Sequence, residues 1–245
     1  MMRLKFLGLL MLGITACAPK VTQSDPAPTA PATVNPAWFE GQWNTPNVQL
    51  NLTRGEDNVI GTLVRSDLQC AANLKVLTQQ PDQIIARQDL LYGGGNCAAD
   101  QLLVLRRTAG AVSINFGVGQ EDVVLSAVKV QGASLLKGGI YSAVAVQRSP
   151  AASYALQMVL TETAQGILAS VVYPEQGCSS RLVFAGMEGN KARFTEKVSH
   201  GTCLDGGTIR LDVQPGTGNL HYQWSKNDVP ATVEAFMRPG TLSGK

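Results

Sequence analysis

Ile60-Gly-Thr-Leu-Val64 and Cys70-Ala-Ala-Asn-Leu74 return later in the chain as Leu168-Ala-Ser-Val-Val172 and Cys178-Ser-Ser-Arg-Leu182. The repeat continues past these segments. Gly95-Asn-Cys97 matches Gly201-Thr-Cys203, Leu103 and Leu105 match Ile209 and Leu211, and Asp89 matches Glu196 after one extra residue in the first copy. Each copy therefore carries two cysteines at nearly the same interval. The chain reads as two tandem modules, 38–133 and 137–240, and a duplicated module should carry its own staple. Cys70 is accordingly expected to pair with Cys97, and Cys178 with Cys203. In the chain-entropy model, closing loops of about 28 and 26 residues contributes roughly 3.5 kcal/mol each. That is a sizeable share of the stability of a domain of about 100 residues. On this division the two modules are expected to melt independently.

Within the modules, apolar and polar residues alternate with period two, as in Val48-Gln-Leu-Asn-Leu52, Asn73-Leu-Lys-Val-Leu77, Thr208-Ile-Arg-Leu-Asp-Val213 and Leu220-His-Tyr-Gln-Trp224. Alternation of this kind marks half-buried strands rather than helices. Turn signals such as Gly55-Glu-Asp-Asn58, Gly93-Gly-Gly-Asn96 and Gly186-Met-Glu-Gly-Asn190 recur about every ten residues. The fold class that follows is all-β: two tandem small antiparallel barrel or sandwich domains of about eight strands each, with one disulfide per domain. In an up-and-down meander, the loop before the fourth strand and the loop after the fifth emerge at the same end, so the proposed pairs can meet.

The N-terminal segment gives an address. Arg3 and Lys5 precede an apolar run of about ten residues, too short for a membrane span of roughly 20. Residues 1–16 read as a signal peptide. Its last residues, Ile14-Thr15-Ala16-Cys17, resemble the bacterial lipoprotein lipobox, which implies that Cys17 is the lipid attachment site and the first residue of the mature chain. Several acyl chains on one cysteine would anchor it stably. Residues 17–36, with Pro19, Pro26, Pro28, Pro31 and Pro36, form an extended tether that can hold the folded part up to about 60 Å from a bilayer. By resemblance to enteric lipoproteins, Ala18 directs a Gram-negative host's protein to the outer membrane, with its domains facing the periplasm. In a Gram-positive host the anchor would hold it at the cell membrane.

The second module also resembles a Cys-containing extracytoplasmic β module of bacterial exported proteins, including the outer segments of some actinobacterial serine/threonine kinases. The residues that carry the likeness are Tyr173-Pro174, Cys178, Leu182, Phe194-Thr-Glu196, Gly201-Thr-Cys203, Asp205-Gly-Gly-Thr-Ile-Arg-Leu211 and Tyr222-Gln-Trp224. The first module lacks the Phe/Glu spacing and the Tyr/Trp ending. The resemblance implies an accessory or binding role, with no reaction attached to it.

The inventory of reactive groups points the same way. His200, on a loop beside Cys203, and His221, in a strand, are the only histidines, and neither has metal or catalytic spacing. Gly93-Gly-Gly95 is not followed by a phosphate-loop Lys and Ser/Thr, and no nucleophile elbow is present. Twenty basic against eighteen acidic residues form no basic stripe, so nucleic acid is not an expected partner. No catalytic, metal or cofactor site is therefore assigned. Asp89, Glu196 and His200 are kept as possible ligand contacts. Trp38-Phe39 and Trp43 are expected to plug the bottom of the first module, the alternative being an exposed docking patch. The function expected is that of a lipid-anchored, non-enzymatic envelope protein that binds or supports another envelope component, a protein or a glycan. The alternatives are an inhibitor of an incoming hydrolase, acting through the Gly93–Asn96 or His200–Gly207 loops, and an uncharacterised enzyme.

Overall fold

The computed structural model describes residues 38–242 except 54, 56, 129–135, 164 and 165, so the signal, Cys17 and the whole tether lie outside the described residues. Among the described residues, sixteen strands follow in chain order. The first eight are β1 (Gly41–Asn44), β2 (Val48–Leu52), β3 (Val59–Arg65), β4 (Cys70–Gln79), β5 (Gln83–Tyr92), β6 (Leu102–Thr108), β7 (Ala111–Asn115) and β8 (Val123–Ala127). The second eight are β9 (Gly139–Arg148), β10 (Ala152–Thr163), β11 (Gly166–Tyr173), β12 (Cys178–Glu188), β13 (Lys191–His200), β14 (Thr208–Val213), β15 (Leu220–Lys226) and β16 (Val229–Pro239). Each set is an up-and-down antiparallel meander closed on itself. Trp43 pairs with Ala127 across β1 and β8, and Val233 with Gln147 across β16 and β9.

Alternating residues fill each barrel, as closure of a small sheet requires. In β5, Ile84, Ala86 and Gln88 point inward; in β13, Ala192, Phe194 and Glu196 do the same. Phe39 is fully buried in the first core, with Trp38 and Trp43 packed against it and the Trp43 indole N–H donating to the Phe39 carbonyl. These aromatics plug the barrel rather than form a docking patch.

The disulfides are Cys70–Cys97 and Cys178–Cys203, one per barrel. The copies agree more closely than sequence matching indicates. The β4–β5 pair has bulges between Ala71 and Ala72 and between Val76 and Thr78; β12–β13 has them between Ser179 and Ser180 and between Phe184 and Gly186, each 108 residues later. Gly93 and Gly201 keep that offset. Both have positive φ, and a Cβ on either would lie within 3 Å of its barrel's first cysteine. The extra residues of the first copy therefore fall in the turn between Gly93 and Cys97. Two corrections follow: Gly93, not Gly95, is the partner of Gly201, and Gln88, not Asp89, is the partner of Glu196.

The barrels are not beads on a string. Val64 packs on its equivalent Val172, and Tyr92 stacks on its equivalent His200 with ring centroids 6.1 Å apart. Contacts between equivalent positions are the mark of a two-fold arrangement, here within one chain. Buried polar bonds cross the same face: Gln157 Nε2 donates to Asn73 Oδ1 at 2.6 Å, Gln42 Nε2 to the Ala169 carbonyl at 3.0 Å and Thr161 Oγ1 to the Leu52 carbonyl at 3.0 Å. Parting the barrels would leave these groups without their partners and expose Val59, Ile140 and Val159. Independent melting is thus replaced by the expectation of one coupled transition.

Candidate functional site

The loops after β9, β11, β13 and β15 gather at the disulfide end of the second barrel, and between them opens a cavity of about 440 Å³. Its mouth is set by Pro150, Gln176, Leu204 and Pro230. Its walls are Tyr154, Tyr173, Tyr222, Trp224, Ala231 and Val233, and Glu196 lies inside.

Period two in β13 turns Glu196 inward, where its side chain is almost completely enclosed. Tyr173, the last residue of β11, donates its hydroxyl to Glu196 Oε1 at 3.0 Å, and Trp224 Nε1 donates to Oε2 at 2.6 Å. The Tyr222 hydroxyl stands 2.9 Å from that of Tyr173 and extends the chain. With Glu196 ionised, the Tyr173 hydroxyl donates a hydrogen bond to the carboxylate and accepts one from the Tyr222 hydroxyl, so each group in the chain is satisfied. Trp224 reaches the acid because Gly207 has no side chain: a Cβ there would stand 2.0 Å from the indole nitrogen.

Burial raises the Glu196 pKa, against the opposing pull of its hydrogen-bond donors. Burial also pushes Tyr154 up to about 12, with the Glu196 charge adding to it, and lifts Tyr173 and Tyr222 well above the phenol range. On the β13–β14 loop, Asp205 is held low chiefly by the backbone N–H of Val198. Glu196 is thus the one carboxyl group of the cavity lining, among the described residues, and burial holds its pKa above the ordinary carboxyl value. Because its folded pKa lies above the unfolded one, the folded state keeps a proton that the unfolded state has lost. This contribution is fully present below the unfolded carboxyl range and disappears as pH rises through the folded pKa. Denaturant midpoints measured from pH 4 to pH 8 should therefore fall more with rising pH in the wild type than in Glu196→Gln; parallel profiles would contradict the assignment.

The same end of the first barrel is built differently. Gln88 replaces Glu196, Arg65 replaces Tyr173, Ile114 replaces Tyr222 and, two residues on, Phe116 replaces Trp224. Gln101 stands where the second barrel has Gly207, as matching backbone bonds show: Gln88 N–H to the Gln101 carbonyl and Glu196 N–H to the Gly207 carbonyl. The Gln101 side chain accepts from Gln88 Nε2 at 2.9 Å and donates to the Phe116 carbonyl, and the Arg65 guanidinium lies 4.3 Å from the Phe116 ring centroid. That end is filled by its own side chains.

Of the residues expected as ligand contacts, only Glu196 lines the cavity. Asp89 is exposed on the outer face of β5. His200 ends β13 rather than lying in a loop, and its ring is engaged with Tyr92. His221 also faces outward, 2.6 Å from Glu234 and stacked on Phe236. The contributions of Tyr154, Gly207 and Ala231 were missed, although Ala192-x-Phe194-x-Glu196 already carried an inward acid in its alternation. Compared with known proteins, the chain matches no family model, no curated protein and no solved structure.

Proposed function

We propose that the protein is a lipid-anchored, non-enzymatic envelope protein whose second barrel binds an envelope component at the Glu196 cavity, with the first barrel as a packed support. The observation that carries this reading is the contrast between equivalent ends: Gly207 and Glu196 leave a lined opening where Gln101 and Gln88 fill one. Both oxygens of Glu196 already accept bonds from neighbouring side chains, an arrangement suited to holding a group rather than shuttling a proton. The two disulfides favour an oxidising compartment. Together with the lipobox-like Ile14–Cys17 segment, the tether and Ala18, they support an outer-membrane anchor with the barrels in the periplasm. The likeness of the second module to extracytoplasmic β modules points to the same class of role.

Two variants test the reading in one preparation. Cys17→Ser should abolish lipid labelling and release the protein from membranes, or leave it uncleaved. Ala231→Phe, which fills the cavity from its wall, should keep anchoring and folding but lose most of the material captured by crosslinking in intact envelopes. Undiminished capture by Ala231→Phe would overturn the cavity as the binding site. Recovery of a hydrolase would point instead to an inhibitor.

A further inference from the structure

We infer that the group bound in the second barrel is an organic cation with apolar substituents, of the trimethylammonium type. The inference rests on the cavity reading above and names its ligand class. Glu196 is a carboxylate enclosed in the barrel with no Lys, Arg or His among the residues that line the cavity, and no ion pair to it is formed among the described residues. A buried charge without a partner is costly, and a ligand cation would supply the missing one. Around it stand four aromatic rings, those of Tyr154, Tyr173, Tyr222 and Trp224, whose faces attract a cation that has shed its water. Tyr154 and Tyr173 meet edge to face, 6.0 Å apart at 77°, so they form a corner rather than a flat stack. Leu204, Val229, Ala231 and Val233 add apolar surface that suits methyl groups, beside the polar side chains of Gln147, Ser149, Gln176 and Thr202.

The first barrel supplies an internal precedent. There the chain brings its own cation: Arg65 lies over Phe116, the position equivalent to Trp224, while its guanidinium is paired with Asp67 at 2.6 Å, and Gln88 stands uncharged in place of Glu196. In the second barrel Arg65 is replaced by Tyr173, the acid appears, and room is left. The second barrel thus has no cation of its own at this position, and has Glu196 and the rings of Tyr173 and Tyr222 where the first barrel has Gln88, Arg65 and Ile114. The cavity of about 440 Å³ is large enough for such a headgroup together with part of what it is attached to.

The test is a calorimetric titration of the full-length chain, in a non-ionic detergent, with choline, with its uncharged carbon isostere 3,3-dimethylbutan-1-ol and with phosphocholine. Choline should bind at least about tenfold more tightly than the isostere, a preference within the range of a desolvated cation–aromatic contact. Glu196→Gln should erase most of that preference while keeping its thermal transition, since the first barrel already holds a glutamine at the equivalent position. Phosphocholine binding more tightly than choline would identify a lipid-type headgroup as the source; weaker binding would identify a free or polymer-borne cation. Equal affinity for the isostere, no choline binding at millimolar concentration, or a preference unchanged in Glu196→Gln would overturn the inference. Preferred binding of the isostere that is lost in Ala231→Phe would overturn the cation and leave the cavity reading in place, whereas failure of Ala231→Phe to reduce envelope capture overturns the cavity itself.

Discussion

Replacing Cys178 and Cys203 together with serine should destabilise the folded chain by about 3.5 kcal/mol and lower one shared melting transition by roughly 7–14 °C. The bridge closes a 25-residue separation, and its loss frees that loop in the unfolded state. A serine hydroxyl at position 178, fully buried, adds a polar group to an apolar site. The effect should reach the first barrel, because Asn73, Gln42 and Leu52 have buried partners in the second. Scanning calorimetry reads the outcome directly. A first-barrel transition that stays at the wild-type temperature while the second moves would show that the interface does not couple them.

Gly207→Val should cost about 3 kcal/mol or more, through overpacking and through loss of the Trp224 bond to a buried carboxylate. The Cβ would stand 2.0 Å from Trp224 Nε1, and the indole must leave its place. Glu196 Oε2 then loses its closest donor. Combining Gly207→Val with Trp224→Phe should cost much less than the two single changes added together, since each removes the same contact. Additive costs by chemical denaturation would contradict the role given to Gly207.

Two eight-stranded antiparallel modules, each with its own disulfide, were legible in the sequence because strand alternation, turn spacing and the cysteine interval agreed, while barrel and sandwich stayed open until closure was seen. The cavity was less so. Matching Asp89 to Glu196 put like charge ahead of alternation, and in a strand a one-residue slip carries a side chain to the opposite face. Ile84-x-Ala86-x-Gln88 against Ala192-x-Phe194-x-Glu196 settles the register, but only once the extra residues are assigned to the Gly93–Cys97 turn. The exchange of Gln101 for Gly207 had no local signature. Its consequence depends on Trp224, brought beside it by the pairing of β14 with β15. Likewise, nothing in the spacing of Asn73 and Gln157 announces that two modules with separate cores share buried hydrogen bonds.

The central claim is that the second barrel binds and the first supports it. Site-specific photocrosslinking in intact envelopes tests this most directly, with a photoreactive side chain at Leu204 on the rim of the cavity or at Ala98, the residue that follows the second cysteine in the first barrel. The account predicts a discrete adduct from Leu204, lost when Ala231→Phe fills the cavity, and no such adduct from Ala98. Equal adducts from both positions, or a Leu204 adduct that survives Ala231→Phe, would contradict it.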